Sequence, residues 1–179
     1  RQASQLTGST WILAQEQTAA RGRRGRSWAT PRGNFAATLM MRRSESPSTA
    51  ALRSFVASLA LRRAFVATTR DEGAFTLKWP NDVLLNGGKV AGILLESIGD
   101  FLAIGIGVNL AHAPGADQVE AGALRPVSVV AETGKVVPPE VFLDALAAEY
   151  AQLETQFQTY GFAPIRTAWL SHAARLGEE

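Results

Sequence analysis

The tripeptide Asn86-Gly87-Gly88 constrains this chain more than any other feature. Asparagine and glycine tolerate the positive φ of a tight turn, so the short apolar runs on either side, residues 83–85 and 89–96, read as an antiparallel hairpin. Around it the chain alternates short strands with helices. Residues 10–14 (TWILA) and 35–41 (FAATLMM) are apolar runs of strand length, and residues 75–79 end at Pro80. Residues 102–110 (LAIGIGVNL) form another strand, with glycines at 105 and 107. Ser46-Pro47 opens a helix that fades near Thr69, with Leu52, Phe55, Val56 and Leu59 on one apolar face. A long helix is expected over residues 138–160, with Phe142, Leu146, Tyr150, Leu153 and Phe157 on one side. A final helix over 164–175 carries Trp169, and residues 1–7 read as a helix tail stopped at Gly8. Hairpins mixed with helices argue against a regular doubly wound α/β fold. The expected class is α+β: a mixed, largely antiparallel sheet covered by helices, in one domain over residues 1–179.

Composition excludes some chemistry and locates the rest. The chain has no cysteine, which removes disulfides, thiolate metal sites and cysteine nucleophiles. No apolar run approaches the ~18 residues of a membrane span, so no membrane partner is expected. The opening residues lack both an initiator methionine and the apolar stretch of a signal peptide, so the chain is expected to begin inside a longer protein. The net charge of +2 is small but uneven: arginine far outnumbers lysine and clusters in residues 15–28, QEQTAARGRRGRSW. Four arginines and two glycines within six residues cannot bury themselves in a core. Such a segment is a loop that suits bidentate contact with phosphate or carboxylate. By itself it is equally well a solvated basic loop or a nonspecific nucleic-acid patch. It contains neither a Walker A sequence nor a G-x-G-x-x-G fingerprint.

Five further positions could carry chemistry. Lys78 ends a strand just before Trp79-Pro80-Asn81-Asp82, where the proline stops the strand and lets the amine be aimed into a pocket. A positioned ammonium can stabilise a carboxylate or a phosphorus centre under attack. Alone, it is more simply a surface charge. Lys89 opens the second hairpin strand, where a charge beside a turn is the plainer explanation. Gly105 and Gly107 strip side chains from one face of their strand, which marks close approach of a ligand or of packed backbone. Asn109 ends that strand and is either a nucleotide ligand or a turn former. His112 and His172 lie in unlike contexts without metal-binding spacing and read as surface residues.

Taken together and in order, these segments resemble the biotin protein ligases. The G-R-G-R-x-G-R loop of that family is matched by Ala20-Arg21-Gly22-Arg23-Arg24-Gly25-Arg26, followed by Trp28. Its K-W-P-N-D element is matched by Lys78 to Asp82, K-x-A-G-I-L-x-E by Lys89 to Glu96, and G-x-G-x-N by Gly105 to Asn109. The resemblance implies attack of biotin on the α-phosphate of ATP with Mg²⁺, giving biotinyl-5′-AMP, then transfer of biotin to a lysine of a biotin carboxyl carrier protein. It implies that Gln17, Arg21, Gly22 and Arg23 contact biotin and the adenylate, with Arg23 retaining the intermediate. Lys78 would bind the biotin carboxylate and α-phosphate, so Lys78 and Arg23 are the catalytic candidates. Trp28 would close over the adenine, Lys89 and Asn109 would sit near the nucleotide phosphates, and Gly105 and Gly107 would line the biotin pocket. The metal ligands are left open. A cytoplasmic protein is implied, with a homodimer compatible, and no nucleic-acid role for this segment; a repressor domain elsewhere stays open. The alternative is a lipoate or octanoate ligase or transferase of the related family.

Three departures from the family pattern stand out. The D-S-T-N segment expected just before residue 1 is missing, and so is the small SH3-like domain expected after Glu179. Ala20 replaces a usual glycine, which would stiffen the loop. The abrupt join at Gly99-Asp100-Phe101 is a further place where a stretch could be left out.

Overall fold

The structure is a computed structural model that describes residues 8–26, 28–115, 118–120 and 122–174. The helix tail expected over residues 1–7, and the end of the one expected to reach residue 175, lie outside these. Six strands form one sheet: β1 (Thr10–Ala14), β2 (Phe35–Arg42), β3 (Phe75–Lys78), β4 (Asp82–Leu85), β5 (Gly88–Ile98) and β6 (Phe101–Val108). Their order is β1-β2-β6-β5-β4-β3, and every strand pairing is antiparallel. The largely antiparallel sheet is therefore antiparallel throughout. Parallel pairing is confined to isolated bridges at Leu77–Ala173 and Lys89–Pro126.

The turns follow from their residues. Asn86 (φ 50°) and Gly87 (φ 77°) both take positive φ, as the tight hairpin between β4 and β5 requires. Gly99 (φ 56°) turns β5 into β6, with Ile98 paired to Phe101. The join at 99–101 is thus a two-residue hairpin.

Period-two alternation decides which face is buried. Phe35, Ala37, Leu39 and Met41 of β2 join Leu102, Ile104, Ile106 and Val108 of β6 in the main core. Against that face lie α2 (Arg53–Thr69) and α4 (Pro139–Tyr160), with α5 (Phe162–Leu170) beside them. All five apolar residues anticipated on α4 are buried. The apolar face anticipated for the first helix is too narrow an account of α2. Val56, Ala57, Leu59, Ala60, Leu61, Ala64 and Phe65 are all buried, because the sheet lies beneath the helix and α4 and α5 flank it. Phe55 meets Phe162 and Trp169 edge-on, at 5.1 and 5.3 Å between ring centres. The helix opening at Pro47 is also two pieces, α1 (Pro47–Ala51) and α2, meeting at Leu52; Ser46 caps the first by accepting from the Thr49 N–H. A short α3 (Val129–Thr133) follows the loop after β6 and has no counterpart in the apolar pattern.

The two edges of the sheet differ. Along β3, the Leu77 N–H donates to the His172 carbonyl at 2.8 Å, and the Ala174 N–H donates to the Leu77 carbonyl at 2.7 Å, so this edge is covered. Beneath the helices a buried ionic group ties α2 to α4. Arg53, 5% exposed, donates from Nε and Nη2 to the Glu154 carboxylate and also contacts Glu45. Burial opposes the Arg53 charge, but the hydrogen bond and attraction from Glu154 outweigh it and raise its pKa. Burial first, then the Glu154 charge, push the Tyr150 hydroxyl well above its ordinary value, so Tyr150 donates as a neutral phenol.

Candidate functional site

The helix-free face of the sheet carries the site, and strand register builds its floor. Ala14, Ala36, Gly107, Gly92, Asp82 and Lys78 are paired neighbours in one row across all six strands. The next row is Ile12, Thr38, Gly105 and Leu94. The middle of the sheet is therefore almost bare of side chains, and charge begins where β4 and β3 are reached. Gln17, Ala19 to Arg23, Arg26 and Trp28 lie over this floor and line with it an open cavity of about 740 Å³. That volume lies in the range of small-molecule sites. Among the described residues, five cationic side chains line it (Arg21, Arg23, Arg26, Lys78 and Lys89) against two carboxylates, Asp82 and Glu96.

Lys89 reaches the cavity because of an irregularity. The β4–β5 register shifts between Val83 and Leu84, so Leu84 faces Lys89 while Val83 faces Ala91. The extra residue, Val90, is absorbed into the core at 0% exposure, as a β-bulge allows. Without the bulge, Lys89 and Gly92 would point to opposite faces. With it both face the cavity, and Lys89 Nζ stands 2.7 Å from Asp82 Oδ1. Asp82 Oδ1 is buried without a well-aligned hydrogen bond, so this contact is one of charge rather than of donor geometry. On its other side Lys89 Nζ lies 5.6 Å from the centre of the Trp28 ring.

Trp28 is seated by the two glycines of the floor. A Cβ at Gly107 would come within 2.6 Å of the indole Cε2, and one at Gly92 would touch Cζ3 at 3.4 Å. Gly105 is different, since a Cβ there would meet only ordinary contacts. The two glycines that alternate in β6 thus serve different ends: Gly107 admits the indole, whereas Gly105 leaves open floor.

The arginine loop has its own short structure. A 3-10 turn spans Arg23–Gly25, the Gly22 N–H donates to the Arg26 carbonyl at 2.7 Å, and the Trp28 N–H donates to the Ala20 carbonyl at 3.1 Å. Gly25 has φ 74°, a conformation that glycine permits. Ala20 has no positive φ, so the local backbone accepts alanine there without strain. Arg23 Nη1 donates to Asn81 Oδ1 at 3.4 Å, linking the loop to the turn after β3. That turn is pinned in its own right. Asn81 Nδ2 donates to the Ile93 carbonyl at 2.7 Å, and the Ser54 hydroxyl of α2 donates to the Pro80 carbonyl at 2.9 Å. Arg26 pairs with Glu120 at 2.8 Å, joining the arginine loop to the loop after β6.

The structure gathers Gln17, Arg21, Gly22, Arg23, Trp28, Lys78, Lys89, Gly105 and Gly107 around one cavity. It does not bring Asn109 there. Asn109 is 2% exposed, and its Nδ2 donates to the Val127 carbonyl at 3.0 Å. Its place is behind the site. The backbone of Lys89 is bonded on both sides to residues 125–127, so Asn109 steadies the segment that holds Lys89. His112 and His172 stand outside the cavity lining, as their contexts suggested. Residues not singled out beforehand now enter: Asp82, Asn81, Gly92, Glu96 and Thr38. Asp82 and Asn81 lay within the Lys78–Asp82 element, but the charge partner of Asp82 is set by the bulge, which leaves no mark in residue spacing.

Among the described residues no group of three or more histidine or acidic side chains could hold a metal ion by itself. A magnesium ion delivered with a nucleotide needs only one or two carboxylates besides the phosphates. Asp82 and Glu96 meet that requirement, so the donor set fits a nucleotide-borne ion.

A glycine floor under a ring of cations defines an enzyme-type pocket for a ligand with more than one anionic group. Comparison with known proteins is specific. The profile of the biotin/lipoate A/B protein ligase family matches residues 1–110. A biotin–[acetyl-CoA-carboxylase] ligase of Paracoccus denitrificans is 58% identical over 178 residues, covering 97% of this chain and 74% of that protein. The biotin protein ligase of Aquifex aeolicus in complex with biotin and ATP superposes with a TM-score of 0.86 at 27% identity, over 97% of this chain and 72% of that one. The Leishmania major biotin protein ligase in complex with biotin gives 0.79 at 27% identity, over 93% and 72%. The chain belongs to the biotin/lipoate A/B protein ligase family.

Proposed function

We propose that this protein activates biotin with ATP to biotinyl-5′-AMP and transfers the biotinyl group to a lysine of a biotin carboxyl carrier protein, that of acetyl-CoA carboxylase. One observation carries the reading: Lys78, Lys89, Arg21 and Arg23 converge on a single cavity whose floor is glycine. The carboxylate of biotin and the α-phosphate of ATP repel one another, and cations fixed on both sides offset that repulsion where charge builds in the transition state. The similarity to the Paracoccus ligase supports the same acid and the same carrier.

In this reading Lys78 binds the biotin carboxylate and the α-phosphate and stabilises the charge that develops there. Arg21, Gly22, Arg23 and Gln17 hold biotin and the adenylate, Arg23 retains the intermediate, and Gly105 leaves room along the floor. Trp28, seated on Gly107 and Gly92, stacks at the adenine end, with Lys89 beside the phosphates. Asn109 acts from behind, through Val127. Asp82 or Glu96 would hold a magnesium ion brought in with the nucleotide, and the ion would supply charge neutralisation for the departing pyrophosphate. A cytoplasmic setting and a homodimer are further expectations of the same reading. No described helix is long and apolar enough to cross a membrane.

The test is ATP–pyrophosphate exchange with biotin, lipoate, octanoate or no acid. Exchange with biotin alone is expected. Exchange with lipoate or octanoate in its place would move the protein to the lipoyl side of the family, and none with any acid would end the adenylation reading.

A further inference from the structure

The chain has four tryptophans, and the fold uses three of them. Trp11 packs on the main core and meets Tyr150 edge-on at 5.9 Å. Trp169 is buried, and its Nε1 donates to the Ser58 hydroxyl at 2.9 Å. Trp28 rests on Gly107 and Gly92. Trp79, by contrast, is 67% exposed, and packing does not account for it.

A single exposed apolar residue is ordinary on a protein surface, so its place decides the matter. Trp79 follows Lys78 directly and stands at the mouth of the cavity. The turn that carries it is fixed from two sides. The Pro80 carbonyl accepts from the Ser54 hydroxyl at 2.9 Å, and Asn81 Nδ2 donates to the Ile93 carbonyl at 2.7 Å. An indole offers a large contact area with few rotatable bonds, so on a pinned turn it loses little freedom when a partner covers it.

The partner follows from the second half of the reaction, and this inference rests on the proposed function. Lys78 holds the carboxyl group of biotin, so the acyl carbon of the adenylate lies beside it. The amine of the carrier's lysine attacks that carbon and forms a C–N bond. The bond from the carbon to the phosphate oxygen breaks, AMP leaves with the electron pair, and the surplus N–H proton passes to water. Attack requires the amine within about 3–3.5 Å of the carbon. A lysine side chain is short, so the carrier backbone on either side of it must come down on the rim at residue 79. That rim is otherwise cationic, with Arg21, Arg23 and Arg26 exposed along it. We propose that Trp79 is the apolar anchor on which the biotin carboxyl carrier protein docks. An apolar side chain next to the acceptor lysine covers the indole, and acidic residues of the carrier meet the arginines. An aromatic anchor beside a charged rim is the common anatomy of a protein interface.

The experiment compares full-length wild type, Trp79→Ala and Trp79→Phe, with the carrier protein of acetyl-CoA carboxylase as acceptor. Two rates are read: biotin-dependent ATP–pyrophosphate exchange, which needs no carrier, and transfer to the carrier from preformed biotinyl-5′-AMP. Trp79→Ala should leave exchange unchanged and lower kcat/KM for the carrier roughly 30-fold, the effect of truncating an interface hot spot. Trp79→Phe keeps an aromatic face and should recover most of that loss. Hydroxylamine, an acceptor too small to dock, should consume bound adenylate at the wild-type rate in all three proteins. Exchange and transfer falling together would make Trp79 a ligand contact, and transfer at the wild-type rate in Trp79→Ala would leave it without a role; either result overturns the proposal. Should Trp79→Ala fail to fold, footprinting of wild type decides. Hydroxyl radicals should oxidise Trp79 more slowly once a carrier with its acceptor lysine changed to arginine is added, and unchanged oxidation overturns the proposal. Exchange and transfer in wild type test the underlying reading separately, and the loss of either there ends that reading and this inference with it.

Discussion

Two residues at the floor of the cavity do opposite things. Lys78 adds charge at the end of β3, and Gly107 takes bulk away near the end of β6. Lys78→Ala removes a half-buried ammonium that lies outside the hydrophobic core, so the thermal midpoint should stay near wild type. Adenylation should fall by about 100-fold or more, the usual effect of losing one group aimed at developing charge. Turnover at the wild-type rate in that variant would remove Lys78 from the mechanism. Gly107→Ala tests the seat of Trp28. The new Cβ overlaps the indole, and overpacking of this kind costs about 1–3 kcal/mol unless the ring moves. Trp28 fluorescence should shift and the KM for ATP should rise. In a Trp28→Ala background the Gly107→Ala change should have little further effect on KM; an undiminished effect would mean that the glycine serves the ligand directly.

At the scale of elements, α2 and α4 hold the sheet from below and thereby hold the site above it. Ser54 of α2 bonds Pro80, while Arg53, one residue earlier, bonds Glu154 of α4. Removing one partner of a buried ion pair costs about 3–5 kcal/mol, and the Glu45 carboxylate that stays beside Arg53 puts the loss of Glu154 toward the lower end. Glu154→Ala should therefore lower stability by that amount in urea denaturation, whereas Arg53→Met combined with Glu154→Leu should cost far less. Equal losses would mean that packing and not charge holds the pair. The sequence made these helices legible but not this contact. The α4 face of Phe142, Leu146, Tyr150, Leu153 and Phe157 repeats with helical period, so its burial could be read directly. Arg53 and Glu154 lie a hundred residues apart and carry charges that usually mark a surface, so their burial could not.

At the scale of the molecule, the covered β3 edge makes stability sensitive to pH. Burial first, then the charges of Arg62 and Arg63, lower the pKa of His172 below its ordinary 6.5. The unfolded chain therefore binds this proton more readily than the folded one. The contribution of neutral His172 is whole above that ordinary value and is lost as pH falls through the lower, folded value. The thermal midpoint should decline on acidification through this window, and less steeply in His172→Gln. Parallel curves for the two proteins would show that the imidazole does not titrate on unfolding.

The chain by itself determined its elements, its turns and the chemistry of its loop. Asparagine and glycine at 86 and 87 demanded the hairpin, alternation set the two faces of the sheet, and arginines too dense to bury had to remain at a surface. These are local matters, decided by φ preferences, side-chain period and the cost of burying charge. Only the tertiary structure decided that Gly92 of β5 and Gly107 of β6 would lie side by side beneath Trp28, that Val90 would be absorbed and so aim Lys89 at Asp82, and that Asn109 would stand behind the site and not in it. Each of these depends on register between strands distant in the chain, and a shift of one residue in register exchanges every side chain between faces.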